Sequence, residues 1–82
     1  MKLINIGFGN LINSDRIIAV LSPDSAPAKR IIAEAKKSKR LIDASQGRKT
    51  ESVIITDSDH IVLSYLKNED ILERHNESEA KI

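Results

Sequence analysis

Three stretches of this chain are apolar on consecutive residues: Ile17-Ile18-Ala19-Val20-Leu21, Val53-Ile54-Ile55 and Ile61-Val62-Leu63. Successive side chains of a strand point to opposite faces, so unbroken runs mark strands with aliphatics on both sides of a sheet. Such a sheet needs two covers. One amphipathic helix can cover one face, and the expected terminal helix adds only Ile71 and Leu72. Leaving several Ile and Val side chains in water forgoes several kcal/mol at ~25 cal/mol per Å², which a small domain can hardly spare. The expected solution is homo-oligomerisation, with a sheet curled on itself as the competing one.

At 82 residues the chain is one domain, and nothing covalent is available to staple it. It has no cysteine and no Cys- or His-rich cluster for a structural metal. The lack of cysteine fits a reducing cytosol. The longest apolar run is five residues, far short of a membrane span. No basic stretch leads into an apolar segment at the N-terminus, so no secretory signal is read and a cytoplasmic location is expected. Phe8 and Tyr65 are the only aromatic residues, which argues against a base-stacking platform for single strands.

The pattern predicts an α+β fold: one small, mainly antiparallel sheet of about five strands, one main helix and a short C-terminal helix. Leu3 to Ile6 reads as the first strand, ended by Gly7-Phe8-Gly9-Asn10, a turn that needs unusual φ values. Arg16 to Leu21 is the second, broken by Ser22-Pro23. A helix then runs from a cap at Asp24 or Ser25 to Lys39, with Pro27 in its first turn and Ala28, Ile31, Ile32 and Ala35 on one stripe. Leu41 to Ala44 reads as a short strand and Gly47-Arg48-Lys49-Thr50 as a hairpin tip. Ser52 to Thr56 and His60 to Leu66 are joined by the turn residues Asp57-Ser58-Asp59. Asn68 caps a last helix from Glu69 to His75. The domain therefore covers residues 1–75, with residues 76–82 expected to fray.

Catalytic chemistry finds little support. No spacing singles out a nucleophile among the Ser, His and Asp residues, and Gly7-Phe8-Gly9 lacks the third glycine and following helix of a phosphate loop. Asp57, Asp59 and His60 can be drawn as metal ligands, but Asp-Ser-Asp is more economically read as hydrogen-bonded turn chemistry. No enzyme, metal, cofactor or small-molecule substrate is expected.

Charge is more informative than its total of +1. Residues 1–50 carry ten Lys and Arg against four acids, a balance of +6. Residues 51–82 carry three against eight, a balance of −5. Such a split points to a polyanion-facing surface, or to halves that complement each other within or between subunits. At 100° per residue, Lys29, Lys36 and Arg40 fall within about 40° of one another on the main helix. Cations near its C-terminus also complement the helix dipole. Arg16 lies just before the second strand, and Arg48-Lys49 with the Thr50 hydroxyl occupy the glycine-led tip. That tip suits phosphate oxygens or a groove edge.

Ile4-Asn5-Ile6-Gly7-Phe8-Gly9-Asn10, Ser22-Pro23-Asp24-Ser25-Ala26-Pro27, Lys29-Arg30, Leu41-Ile42-Asp43-Ala44, Gly47-Arg48-Lys49-Thr50 and Asp57-Ser58-Asp59-His60 together resemble the RemA family of extracellular-matrix regulatory proteins. The likeness runs from Lys2 to Leu66 in register. It implies a bacterial cytoplasmic regulator that assembles into rings, binds double-stranded DNA and activates biofilm-matrix genes. It further implies that Arg16, Arg48 and Lys49 make the DNA contacts; the charge pattern on the helix and the tip hydroxyl add Lys29, Lys36, Arg40 and Thr50 as auxiliary candidates. The chain departs from the family pattern at Lys49, usually a second Arg, at Glu51, commonly basic, and at Asp15, usually neutral. It also has Gln46 where an aromatic often precedes the tip glycine. Each departure weakens the local positive field, and Lys49 keeps the charge while losing the bidentate fork.

The reading is thus a homo-oligomeric, ring-forming, DNA-binding transcriptional regulator that grips duplex DNA through repeated basic loops. The rival is a ring-forming interaction module in which the +6 and −5 halves pair across subunit contacts, with no nucleic-acid role.

Overall fold

Ile54 and Val62 face one side of the sheet, and Val53, Ile61 and Leu63 face the other; the two sets close two separate cores. The computed structural model that shows this describes residues 2–80. Its strands are β1 (Leu3–Asn5), β2 (Leu11–Asn13), β3 (Ile17–Leu21), β4 (Leu41–Asp43), β5 (Ser52–Thr56) and β6 (Ile61–Ser64). Its helices are α1 (Ala26–Lys37) and α2 (Asn68–Ala80), with a single 3-10 turn at Ser14–Arg16.

The α+β class is as read, but the single five-stranded sheet is not. β1 and β2 form a separate antiparallel ribbon, and a four-stranded sheet is ordered β3-β5-β6-β4. β2 is the strand the sequence reading lacks. The Gly7–Asn10 turn reverses the chain, the Asn10 N–H donating to the Gly7 carbonyl at 3.0 Å, and the chain returns beside β1. In the larger sheet β3, β5 and β6 pair antiparallel, whereas β4 joins β6 in parallel.

This order corrects the hairpin expected at Gly47-Arg48-Lys49-Thr50. β4 and β5 are not neighbours: β6 lies between them. The segment after β4 is a connection that passes the end of β6, tied there by the Glu51 N–H donating to the Ser64 carbonyl at 2.9 Å.

The shortage of cover for the sheet is corrected as well. α1 lays Ala28, Ala35, Ile31 and Ile32 over Val53, Ile61 and Leu63. The other face is closed by the ribbon, through Ile4, Ile6 and Ile12, together with Leu66 and Ile71. Both faces of β5 and β6 are therefore covered within one chain, because residues 3–13 fold as a second layer. Two buried serines tie the covering segments, the ribbon and the stretch before α2, to the sheet. Ser64 Oγ donates to the Ile6 carbonyl at 2.7 Å, and Ser52 Oγ donates to the Leu66 carbonyl at 2.5 Å. Apolar exposure survives mainly at the sheet's two edges and outside α2: Ile18 (66%), Leu72 (60%), Leu11 (59%) and Ile42 (50%). Ile18 is exposed because the β3–β5 register shifts between Ile17 and Ala19, a bulge that leaves the extra residue outside the ladder.

Helix bounds follow their caps. Ser25 caps α1, its Oγ accepting from the Ala28 N–H at 3.3 Å, with proline in the first turn. The helix stops at Lys37, short of Lys39. Lys39 takes a left-handed φ of 60°, and the Arg40 N–H reaches back to the Ala35 carbonyl at 2.8 Å, a Schellman closure made without glycine. α2 starts at Asn68 itself and continues past His75 to Ala80, so residues 76–80 are helical. The end of the tail expected to fray, residues 81–82, lies outside the described residues.

Candidate nucleic-acid interface

The loop that carries Arg48 and Lys49 is built from its first residues onward. Asp43, the last residue of β4, accepts from the Ser45 N–H at 2.9 Å and from the Ser45 hydroxyl at 2.5 Å. This is the Asx-turn chemistry that lets a short acid bend the chain. These bonds, the side-chain one first, hold the Asp43 carboxyl below its ordinary pKa, partly offset by desolvation. Ala44 and Ser45 are buried, which anchors the stem. The next turn is closed by the Arg48 N–H donating to the Ser45 carbonyl at 3.0 Å. Its central residues Gln46 (φ 49°) and Gly47 (φ 82°) are both left-handed, the signature of a type I′ turn. Arg48 and Lys49 emerge exposed, while Thr50 and Glu51 are half-buried.

Arg48 has a neighbour from another part of the chain. Its guanidinium carbon lies 5.6 Å from the ring centre of Tyr65, in cation–π range. Tyr65 in turn meets Phe8 with ring centres 4.8 Å apart and planes inclined at 45°. The chain's single phenylalanine and single tyrosine are thus in contact, beside the candidate DNA-binding loop. Sequence reasoning misses this pair, because the residues are 57 positions apart and no spacing rule joins them.

Arg16 sits elsewhere. It ends the 3-10 turn before β3, whose Ile17 pairs with Thr56, the last residue of β5; Tyr65 follows Ser64, which pairs with Ser52, the first residue of β5. Arg16 and Arg48 therefore mark opposite ends of the sheet, separated by about 13 Å of strand at roughly 3.3 Å per residue. Arg16 Nε donates to Asp57 Oδ1 at 2.9 Å in an exposed ion pair.

The auxiliary candidates divide. Lys29 and Lys36 are exposed on α1, on the layer away from the ribbon. Arg40 is not on that helix face. It follows the helix end and spends its guanidinium on Ser38 Oγ at 2.7 Å and on the Asp59 carbonyl at 2.6 Å. Those bonds fasten the end of α1 to the β5–β6 turn. In that turn His60 Nδ1 is 2.9 Å from Ser58 Oγ, and Thr56 Oγ1 donates to the His60 carbonyl at 3.0 Å, so these side chains serve the turn. Among the described residues no group of three His, Cys, Asp or Glu side chains is placed to hold a metal, and no helix is long and apolar enough to cross a membrane.

The layout is a small α+β domain that presents cations on an anchored turn at one end of its sheet and a paired arginine at the other. Comparison with known proteins matches it to a family. The family model described as "RemA-like: Extracellular matrix regulatory protein A-like" matches residues 3–74. Relatives named "Putative regulatory protein" are similar over nearly the whole chain. The one from Acetivibrio thermocellus is 56% identical over 81 residues, covering 99% of this chain and 87% of its own length. A relative from Thermodesulfovibrio yellowstonii is 61% identical over 75 residues, 92% of this chain and 88% of its own. One from Brevibacillus brevis is 57% identical over 74 residues, covering 90% and 86%. The chain belongs to the RemA-like family.

Proposed function

We propose that this RemA-like chain is a bacterial cytoplasmic transcriptional regulator of matrix genes that binds double-stranded DNA as a homo-oligomer, in a ring. The observation that carries the reading is the Arg48-Lys49 loop. Two exposed cations ride on a turn whose stem is buried and bonded through Asp43 and Ser45, so they are offered to a partner at little further ordering cost. Arg16 adds a second contact at the far end of the sheet. Lys29 and Lys36 steer, and Thr50 is within the same loop.

The assembly is supported by the apolar residues left at the sheet's edges rather than by an uncovered face. Ile42 and Leu11 line a groove of about 420 Å³ beside β4. Ile18 and Leu72 stand on the opposite, β3 side. Different apolar patches on the two edges suit head-to-tail contacts, which close into rings when the rotation allows. Repetition would then turn weak single-loop attraction into avidity.

The test is a duplex gel shift across a salt series. Arg48→Ala is expected to weaken binding several-fold and to flatten the log–log salt slope by about 0.9 for each phosphate that is no longer neutralised, with the assembly mass unchanged by light scattering. Unaltered affinity and slope would remove Arg48 from the interface. The second reading, an interaction module with charge-paired subunits, draws on the Arg16–Asp57 ion pair, which already occupies one of the proposed DNA cations. Dissociation of the oligomer by salt alone would favour it.

A further inference from the structure

The Phe8 side chain is hard to explain by the fold. Phe8 and Gly9 are the central residues of the turn between β1 and β2, with φ values of 55° and 76°. Two left-handed central residues define the type I′ hairpin turn, for which Asn-Gly is the favoured pair. A bulky aromatic is an outlier in that region of backbone space. The core does not need the ring either: Phe8 is 45% exposed, and Ile4 and Ile6 already seal the ribbon against the sheet at 3% each. The turn therefore holds an apolar side chain in water, in a backbone conformation that suits asparagine better.

Its surroundings say what it is held for. Phe8 packs on Tyr65, and Tyr65 lies under the Arg48 guanidinium. The three make one continuous patch. Gly7 lets the tyrosine close on the turn, since a Cβ at that position would clash with Tyr65 Cε1. An exposed ring fixed beside an exposed arginine matches a polymer that is charged along its backbone and apolar on its sugars and base edges.

We infer that Phe8 is a DNA-contacting residue, packing its ring on deoxyribose and base edges in a groove while Arg48 engages the adjacent phosphate. This deepens the DNA-binding reading above and rests on it. The contact is of a different kind from those of the cations. It displaces water rather than counterions, so it adds affinity without adding to the salt dependence. Tyr65 is the backing that keeps both side chains in place.

Phe8→Asn is the decisive variant, because it installs the residue the turn prefers and so spares the fold. Thermal unfolding of Phe8→Asn is expected at or above the wild-type midpoint. Its affinity for a labelled duplex, read by anisotropy, should fall about fivefold or more, the scale of an aromatic contact to nucleic acid. The log–log salt slope should stay at the wild-type value, and Phe8→Trp, which keeps an aromatic ring, should bind close to wild type. Binding by Phe8→Asn within twofold of wild type overturns the inference. So does a slope that flattens together with the affinity, which would mean that the ring acts only through Arg48. A fall in assembly mass in Phe8→Asn overturns it too, by placing the ring in a subunit contact. A wild-type chain that binds no duplex takes down the DNA reading itself; one that binds while Phe8→Asn is unimpaired takes down this inference alone.

Discussion

Replacing Asp57 by asparagine should strengthen DNA binding, and by an amount that can be worked from the ion pair. Arg16 Nε and Asp57 Oδ1 are 2.9 Å apart, with side chains 59% and 47% exposed. Exposed pairs of this kind contribute about 0.2–1 kcal/mol. If Arg16 must leave Asp57 to reach a phosphate, that energy is subtracted from every contact it makes. At 1.4 kcal/mol per factor of ten, Asp57→Asn should therefore gain about 1.4- to 5-fold per engaged subunit, and about 2- to 30-fold when two subunits hold the same duplex.

Salt sharpens the expectation. The pair is screened as ionic strength rises, so wild type has less to break at high salt than at low. The gain in Asp57→Asn should be largest at low salt, and its log–log slope steeper than wild type. Removing any acid near DNA helps binding, so two controls isolate the pair. Asp59→Asn deletes the same charge two residues away, and Asp57→Asn in an Arg16→Ala background deletes it with no arginine to release. The assay is duplex anisotropy at three or more salt concentrations. Equal gains in both controls would show a general charge effect and refute the exchange. Weaker binding in Asp57→Asn would show that the pair holds Arg16 in its binding pose.

Two further outcomes test the assembly and the loop. Ile18→Asp alters a bulged, exposed side chain, so its unfolding midpoint should hardly change, while the mass by light scattering should drop to that of smaller species and duplex affinity should fall with it; an unchanged mass would clear the β3 edge of an interface role. Asp43 has a folded pKa below its ordinary value, so its bonds to Ser45 stabilise the fold at neutral pH, and that contribution is lost as pH falls through the folded value, beneath the ordinary carboxylate range. Asp43→Asn should be less stable than wild type at pH 7 by under about 1 kcal/mol, the exposed site being screened, with the gap closing in acid; a gap independent of pH in urea titrations would assign the effect to packing instead.

The parts of the fold that are legible in the sequence are those written in a local code. Val53-Ile54-Ile55 and Ile61-Val62-Leu63 sit either side of Asp57-Ser58-Asp59 and form the β5–β6 hairpin as read. Ser25 and Pro27 mark the start of α1. What escapes depends on partners far away in the chain. Leu11-Ile12-Asn13 is too short for a period to show, so the ribbon that covers the second face cannot be seen in it. Gly47-Arg48-Lys49-Thr50 announces a bend, but a bend does not reveal which strand comes next in the sheet, and β6 intervenes. Helical periodicity carries Arg40 onto α1, yet the helix ends early because Lys39, not glycine, takes the left-handed position. The basic loop can be picked out as a candidate, whereas its aromatic backing cannot, since Phe8 and Tyr65 meet only through the tertiary fold.

The separation of the basic residues has a consequence for how DNA would lie. Arg16 and the Arg48-Lys49 loop are at opposite ends of the sheet, so one subunit offers two points of attachment rather than one pocket. Each phosphate neutralised contributes about 0.9 to the salt slope. A subunit that engaged all three cations would contribute about 2.7, and one that used the Arg48-Lys49 end alone about 1.8. Dividing the measured slope by the number of subunits on a duplex of known length therefore separates the two modes. The larger value requires DNA to follow the strand direction across each subunit. The smaller one makes Arg16 a partner of Asp57 first, and leaves the grip to the loop and the rings behind it.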